Sequence, residues 1–167
     1  MEINKKTRWL DTPIDPLEIE ITNNNEQGYC LTRVTFKTKD ELKDICNKDQ
    51  DPLLNLVSEQ LKEYFSGNRK TFSDLTPYFH KSGTAFQRQV WHALNHIPFG
   101  QTRSYSEIAT AINNPKSVRA VGAANGKNPL TIIVPCHRVI GSNGSLTGYA
   151  GGLDRKKWLL AFEKKLT

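Results

Sequence analysis

The segment Pro135-Cys136-His137-Arg138-Val139-Ile140-Gly141 follows the apolar run at residues 130–134 and precedes a loop rich in glycine. Proline fixes its own φ and lacks an amide donor, so Pro135 should end an extended run and set the angle at which Cys136 is presented. A lone cysteine is usually a small buried apolar side chain. This one is followed by two basic residues, and either could supply the positive charge or proton acceptor that a thiolate needs. The segment therefore indicates a presented nucleophile.

The composition favours a protein of one or two small domains. The chain has 167 residues, and the 37% that are hydrophobic suffice for a packed core. No apolar run reaches membrane-spanning length, so we expect no signal peptide and no membrane contact. The cysteines Cys30, Cys46 and Cys136 contain no Cys-x-x-Cys pair, which argues against a disulfide scaffold or a zinc site. We therefore expect a cytoplasmic protein without a metal or another cofactor.

The net charge of +6 is divided unevenly along the chain. Residues 1–79 carry a net charge of −3, whereas residues 80–167 carry +9. A basic half joined to a mildly acidic half suggests that only the C-terminal half faces a polyanion such as DNA. A solvated cationic face is the alternative explanation, and the motifs have to decide between the two.

Residues 1–79 are predicted to form a small α/β domain. Residues 17–22 alternate between apolar and polar side chains, which is the period of a half-buried strand, and a second strand at 29–37 completes a hairpin. Asp51-Pro52 is a favourable helix start. The helix should bury a stripe of apolar residues and stop near a glycine: Leu53, Leu56, Val57, Leu61, Tyr64 and Gly67. Residues 68–81 show no clear period and are assigned to the link between domains.

Residues 80–167 are predicted to be mainly helical. Two capping boxes, at residues 84–87 and 104–107, begin amphipathic helices. Asp154 should cap the last helix, whose first turn carries three cations at residues 155–157. Cations oppose the helix dipole at this end, and a phosphate backbone beside the turn would remove that penalty. Simple exposure to solvent explains the same cations equally well.

A helix-turn-helix motif is predicted to begin at the second capping box. Ser117 should cap its second helix, in which Val118 and Val121 face inward. That helix carries mostly small residues: Ala120, Gly122, Ala123, Ala124 and Gly126. Its backbone could therefore approach a DNA groove closely, with Arg119 reaching between the strands. Small residues also serve tight helix packing, and that alternative stays open.

The C-terminal half resembles the O6-alkylguanine-DNA alkyltransferases, also called methylated-DNA–protein-cysteine methyltransferases. The matching segments run in the family's order: residues 83–87, 90–91, 104–109, 119–122, 124–126, 128–129, 133–141, 146–153 and 156–163. The N-terminal half resembles the family only in size and outline. The resemblance implies an N-terminal ribonuclease-H-like α/β domain at 1–79. It also implies a mainly helical C-terminal domain at 80–167, which binds DNA through a winged-helix-like helix-turn-helix and transfers the alkyl group.

The resemblance further implies a reaction centred on Cys136. The thiol would accept the alkyl group of a flipped O6-alkylguanine, while its proton leaves through His137, a water and Glu163. Tyr105 matches the tyrosine beside guanine N3, where it can donate a proton to the leaving base. Attack on an sp³ carbon gives a thioether that water does not readily release, so we expect one turnover per molecule.

The implied partner is double-stranded DNA containing O6-alkylguanine, bound through the minor groove by a monomer. Arg119 would enter the base stack in place of the flipped nucleotide, which partly offsets the cost of extrusion. The implied DNA contacts of the helix-turn-helix are Ser117, Arg119, Ala120 and Ala123. Main-chain groups of Cys136, Val139 and Ala150 should read the guanine edge. Tyr149 would form a pocket wall, and Asn128 matches the asparagine of the hinge before the reactive segment.

Three other classes of protein compete with this reading. A damage-binding module of the same fold lacks the reactive cysteine, so the presence of Cys136 argues against it. A cysteine hydrolase would use Cys136, His137 and Glu163 as a triad and release many products per molecule. A plain helix-turn-helix regulator leaves the Pro-Cys-His-Arg segment unexplained. The zinc ligands of some family members, and the extra domain of the family's transcriptional regulator, have no counterpart in this sequence.

Overall fold

The chain divides into two compact units, Met1–Lys81 and Ser82–Thr167. The computed structural model of the protein describes residues 4–24, 26, 28–43, 45 and 49–167. The predicted mixture of a small antiparallel sheet and helices is confirmed. In these ranges no helix combines the length and the apolar composition that crossing a bilayer requires. Cys46 lies outside the described residues.

Three antiparallel strands form the sheet of the first unit, in the spatial order β1–β2–β3. They are β1 (Lys5–Leu10), β2 (Leu17–Asn24) and β3 (Gly28–Phe36). The predicted hairpin is confirmed as β2 and β3, whereas β1 was not predicted. The alternation in β2 places one set of side chains in the core, where they are fully buried: Leu17, Ile19 and Ile21.

The other face of β2 differs from the half-buried strand that its sequence predicts. Glu18 and Glu20 are only 8% and 6% exposed. Lys5 forms an ion pair with Glu20 at 3.0 Å, and the hydroxyl of Thr32 donates to the same carboxylate at 3.1 Å. A buried charge needs such partners, and the neighbouring strands β1 and β3 supply them to Glu20 through Lys5 and Thr32.

The helix α1 (Pro52–Phe65) begins as predicted. The side chain of Asp51 accepts a hydrogen bond from the amide of Leu53 at 2.9 Å, which satisfies one free donor of the first turn. The buried stripe is confirmed for Leu53, Val57, Leu61 and Tyr64. It is wrong for Leu56, which is 37% exposed. Successive residues lie about 100° apart around a helix, so Leu56 falls at the edge of the stripe that Val57 occupies.

Residues 68–81, expected to link the domains, instead pack on the first unit. A 3₁₀ helix at Ser73–Tyr78 buries Leu75 completely. Phe79 then forms a bridge with Leu31 of β3. One buried leucine and one backbone bridge leave no periodic signal in a sequence, so pattern analysis does not detect this contact.

Four helices form most of the second unit: α2 (Ala85–Leu94), α3 (Tyr105–Ala111), α4 (Val118–Gly126) and α5 (Leu153–Lys165). Both predicted capping boxes, at residues 84–87 and 104–107, are confirmed; in each, the hydroxyl accepts the third amide of the helix at 3.1 Å. α4 packs against α2 and α3. Trp91 on α2 donates from Nε1 to the carbonyl of Ala124 at 2.8 Å, which fixes α2 against α4.

Two helix starts differ from the prediction. Ser117 occupies the N-cap position of α4 as predicted, but its hydroxyl donates to the carbonyl of Asn114 at 2.6 Å and makes no capping bond to the helix. α5 begins directly after Gly152, so Asp154 lies within the first turn and is not the cap. Gly152 has a φ of 88°, a conformation that glycine adopts without steric cost. The sharp turn at this glycine starts the helix upstream of the aspartate.

Candidate active site

Cys136 opens the 3₁₀ helix Cys136–Arg138, directly after a buried turn. Residues 130–134 were expected to be extended, but Ile132 has a φ of 71° and the chain reverses there. A positive φ is strained for a β-branched residue and requires support from its surroundings. The side chain of Asn128 provides it, because Nδ2 donates to the carbonyl of Val134 at 2.8 Å and Oδ1 accepts the first amide of the turn at 3.0 Å.

A short parallel strand pair brings the reactive segment to the start of α3. β4 (Arg103–Ser104) pairs with β5 (Val139–Ile140), which follows the 3₁₀ helix directly. Tyr105 is the first residue of α3, so the pairing places it near the segment that carries Cys136. Each of these strands has only two residues, too few for a periodic pattern, and neither was predicted.

The thiol of Cys136 is buried, with 4% of the residue exposed. Burial raises the pKa of the Cys136 thiol, and the side chain of Asn128 and the charge of Lys156 act in the opposite direction. The resting group is therefore a neutral thiol. It needs a proton acceptor before it can act as a nucleophile.

His137 and Glu163 form a fully buried pair, with Nε2 of the imidazole 2.7 Å from Oε1 of the carboxylate. Burial lowers the pKa of His137 and outweighs the opposing effect of Glu163. Burial raises the pKa of Glu163, but His137 and Arg138 more than reverse this and hold it far below its ordinary value. An ionised carboxylate only accepts hydrogen bonds, so Nε2 carries the proton and Nδ1 is the free basic atom. Among the described residues, Nδ1 has no hydrogen-bond partner.

An open cavity of about 400 Å³ lies between α3, α4 and the loop before α5. Its walls are Tyr105, Val118, Gly122, Gly126 and residues 147–150. The volume lies within the range of small-molecule pockets. Of the predicted pocket residues, Tyr149 and Ala150 line this cavity, whereas Asn128 and Val139 do not. Burial, followed by the negative charge that Cys136 carries as a thiolate, raises the pKa of Tyr149.

Lys156 is fully buried, which contradicts the prediction that it faces phosphate or solvent. Its Nζ donates to the carbonyl of Thr147 at 3.1 Å and to the hydroxyl of Tyr105 at 3.5 Å. The Tyr105 hydroxyl donates to the same carbonyl at 2.9 Å. Lys156 is thus a residue of the site that sequence reasoning missed, because lysine is almost never buried and nothing in the local pattern distinguishes it from its basic neighbours.

The exposed face of α4 has the thin outline that its sequence predicts. Arg119, Ala120 and Ala123 are exposed, whereas Val121 is fully buried against the rest of the unit. Ser117 is half-buried at the beginning of this face. The structure therefore presents one long cation on a helix surface otherwise lined by small side chains.

Comparison with known proteins identifies the family. Residues 85–165 match the family model of the DNA binding domain of 6-O-methylguanine DNA methyltransferase. A methylated-DNA–protein-cysteine methyltransferase from Methanosarcina acetivorans is 48% identical over 158 residues, which cover 92% of this chain and 95% of that protein. The chain belongs to the methylated-DNA–protein-cysteine methyltransferase family. The alignment also extends the similarity into the N-terminal half, beyond the size and outline that the sequence alone indicated.

Solved structures of the methyltransferase family agree in fold. The crystal structure of Mycobacterium tuberculosis O6-methylguanine methyltransferase is 40% identical, with a TM-score of 0.78, and the match covers 98% of this chain and 95% of that one. The M. tuberculosis protein in complex with DNA is 42% identical, with a TM-score of 0.79, covering 97% and 94%. In the part of this chain that the structure describes, no three His, Cys, Asp or Glu residues cluster as metal ligands.

Proposed function

We propose that the protein repairs DNA by moving the alkyl group of O6-alkylguanine to Sγ of Cys136, irreversibly and once per molecule. The observation that carries this proposal is the buried group of Cys136, His137 and Glu163. The imidazole is bound to the carboxylate through Nε2, and Nδ1 has no partner among the described residues. A neutral thiol needs a proton acceptor to become a nucleophile, and the free basic nitrogen of the next residue can serve as one. Family membership supplies the class of substrate.

The reaction begins with proton transfer from Cys136 to Nδ1 of His137. Side chains of successive residues diverge, so a water carries the proton between Sγ and Nδ1. The ionised Glu163 stabilises the resulting imidazolium. The thiolate attacks the alkyl carbon, the S–C bond forms as the C–O6 bond breaks, and the electron pair of the broken bond passes to guanine.

Tyr105 supplies the proton that the leaving guanine takes up at N3. Its hydroxyl donates to the carbonyl of Thr147 at 2.9 Å in the free protein. When the base binds, the hydroxyl leaves this carbonyl and donates to N3 of guanine instead. Lys156 donates to the same carbonyl at 3.1 Å and keeps it hydrogen-bonded when Tyr105 turns away. The carbonyl of Thr147 therefore has a donor both before and after the hydroxyl of Tyr105 turns to the base.

Recognition of the lesion is assigned to the second unit. In this proposal α3 and α4 form a winged-helix-like helix-turn-helix that enters the minor groove, and the first unit has a ribonuclease-H-like fold. Arg119 fills the place of the flipped nucleotide, and Ser117, Ala120 and Ala123 lie along the DNA. Support comes from the exposed thin face of α4 and from the net charge of +9 on residues 80–167. The protein acts as a monomer in this account.

The guanine edge is read by main-chain groups of Cys136, Val139 and Ala150, beside the wall that Tyr149 forms. Tyr149 and Ala150 line the cavity of about 400 Å³, which supports this part of the proposal. Asn128 acts as the hinge before the reactive segment, and the hydrogen bonds of its side chain to the turn support that role.

The number of lesions repaired is expected to saturate at one per protein molecule. The product on Cys136 is a thioether, which has no carbonyl for water to attack and therefore does not regenerate the thiol. A duplex with one O6-methylguanine, supplied in large excess, is digested after the reaction and its remaining O6-methylguanine is quantified. A cysteine hydrolase would continue beyond one equivalent, and such turnover would contradict the proposal.

A further inference from the structure

Arg138 has no part in the steps above, yet its guanidinium is buried within the site. Nε donates to Oε2 of Glu163 and Nη2 donates to Oε1, each at 2.9 Å. Nη1 donates to the carbonyl of Ile97 at 2.7 Å, and the guanidinium carbon lies 5.7 Å from the ring centre of Phe99. A planar fork that pairs with both oxygens of a carboxylate fixes its orientation as well as its charge.

The orientation of His137 depends on this carboxylate. Oε1 of Glu163 receives both Nε2 of His137 and Nη2 of Arg138, while Oε2 receives Nε of Arg138 and the amide of Gly100 at 3.1 Å. The terminal torsion of a glutamate is broad and soft, so donors on both oxygens are what hold it in one position. The contacts therefore run from the main chain at Ile97 and Gly100, through Arg138 and Glu163, to the imidazole.

We propose that Arg138 is a positioning residue for alkyl transfer, which holds the Glu163 carboxylate in register with His137 and balances its charge. The role rests on the proposed function, because Arg138 acts through the same proton relay. The guanidinium of Arg138 bonds to Glu163 and Ile97, and Arg138 is not among the residues that line the cavity. Its effect must therefore appear in the behaviour of His137.

Arg138 also influences the charge of the imidazole. Three charged groups face His137: Glu163 and Lys156 on α5, and Arg138 on the same 3₁₀ helix as His137. The titratable thiol of Cys136 lies on that 3₁₀ helix as well. Burial lowers the pKa of His137, and the charge of Arg138 lowers it further. Removal of that charge raises the pKa, so His137 takes up a proton at higher pH and stops acting as an acceptor there. In a plot of the alkyl-transfer rate against pH, the fall in rate on the acid side (the acid limb) then moves to higher pH.

The test compares wild-type protein with Arg138→Met and Arg138→Lys. Each reacts with excess O6-benzylguanine as a free base, and intact-protein mass gives the single-turnover rate constant across pH. The final extent of alkylation counts the folded molecules, so a partly unfolded variant still yields a rate constant. We expect the Met variant to react about 10²-fold more slowly, as for a misplaced relay group. Its acid limb should move to higher pH.

The lysine variant separates charge from geometry. It keeps the positive charge but not the fork, so we expect an unshifted acid limb and a rate about tenfold lower. Arg88→Met, on the exposed surface of α2, is the control and should match the wild type. Wild-type rates and limbs in both Arg138 variants, with only lower melting temperatures, would overturn the proposal. A wild-type protein that gains no alkyl mass from O6-benzylguanine, and none from a duplex with O6-methylguanine, would instead refute the proposed function itself.

Discussion

Replacement of His137 with glutamine is expected to slow methyl transfer by about 10²- to 10⁴-fold, the range lost when a general base is removed. The amide of glutamine can still donate to Oε1 of Glu163, but it cannot take up the thiol proton. Burial raises the pKa of the Cys136 thiol, so little thiolate forms without an acceptor. The measurement is the single-turnover rate on a duplex with one O6-methylguanine.

His92→Gln provides the matched control, because His92 lies exposed on α2. This variant should react at the wild-type rate, and both variants should bind the methylated duplex as the wild type does. A His137→Gln protein that reacts at the wild-type rate would show that the thiol loses its proton by another route.

Replacement of Arg119 with alanine is expected to slow repair of duplex DNA by about 10- to 100-fold while leaving the reaction with a free O6-alkylguanine base unchanged. Extrusion of a base costs a few kcal/mol, and each tenfold loss in rate corresponds to about 1.4 kcal/mol. A free base needs no extrusion, so only the duplex reaction should be affected. The measurement is the ratio of the two rates for each protein.

Lys127→Ala is the control for loss of positive charge, because Lys127 is exposed at the end of the same helix. Loss of a phosphate contact weakens DNA binding without regard to the lesion and reduces its dependence on salt. The rate at saturating duplex should therefore stay near the wild-type value. An equal loss with free base and duplex in the Arg119 variant would show that it disturbs the reaction centre, not the flipping step.

Local signals in the sequence predicted the local features of the fold. The capping boxes at residues 84–87 and 104–107 and the cap at Asp51 depend on side chains within one helical turn of each other, and all three form. The alternation of apolar and polar residues at 17–22 is also a local signal, and it predicted β2. β1 has the sequence KKTRWL, in which apolar and polar residues do not alternate, so its pairing with β2 is visible only in the fold.

The segment around Cys136 itself indicated the proposed nucleophile, the resemblance to the family supplied the proposed relay, and the structure places His137 against Glu163. The buried environment of the relay was not predictable. Arg138 appeared to be a charge available to the thiolate, but it faces Glu163 instead. Lys156 appeared to be a surface cation, although it is fully buried. Long basic side chains are normally exposed, so only tertiary packing reveals that these two are enclosed.

The turn before the nucleophile shows the same limit. Residues 130–134 have the composition of a strand, yet Ile132 adopts a positive φ that its side chain disfavours. The side-chain hydrogen bonds of Asn128 and the burial of the segment stabilise this conformation. Such support comes from contacts that composition and periodicity do not encode.

The most direct test of the account is intact-protein mass spectrometry, with peptide mapping, after incubation with a duplex that contains one O6-methylguanine. We expect the mass of one added methyl group, located on the peptide that contains Cys136. We expect no addition to a Cys136→Ala protein that still binds the duplex. A methyl group mapped to another residue, or a wild-type protein that binds the lesion and stays unmodified, would contradict it.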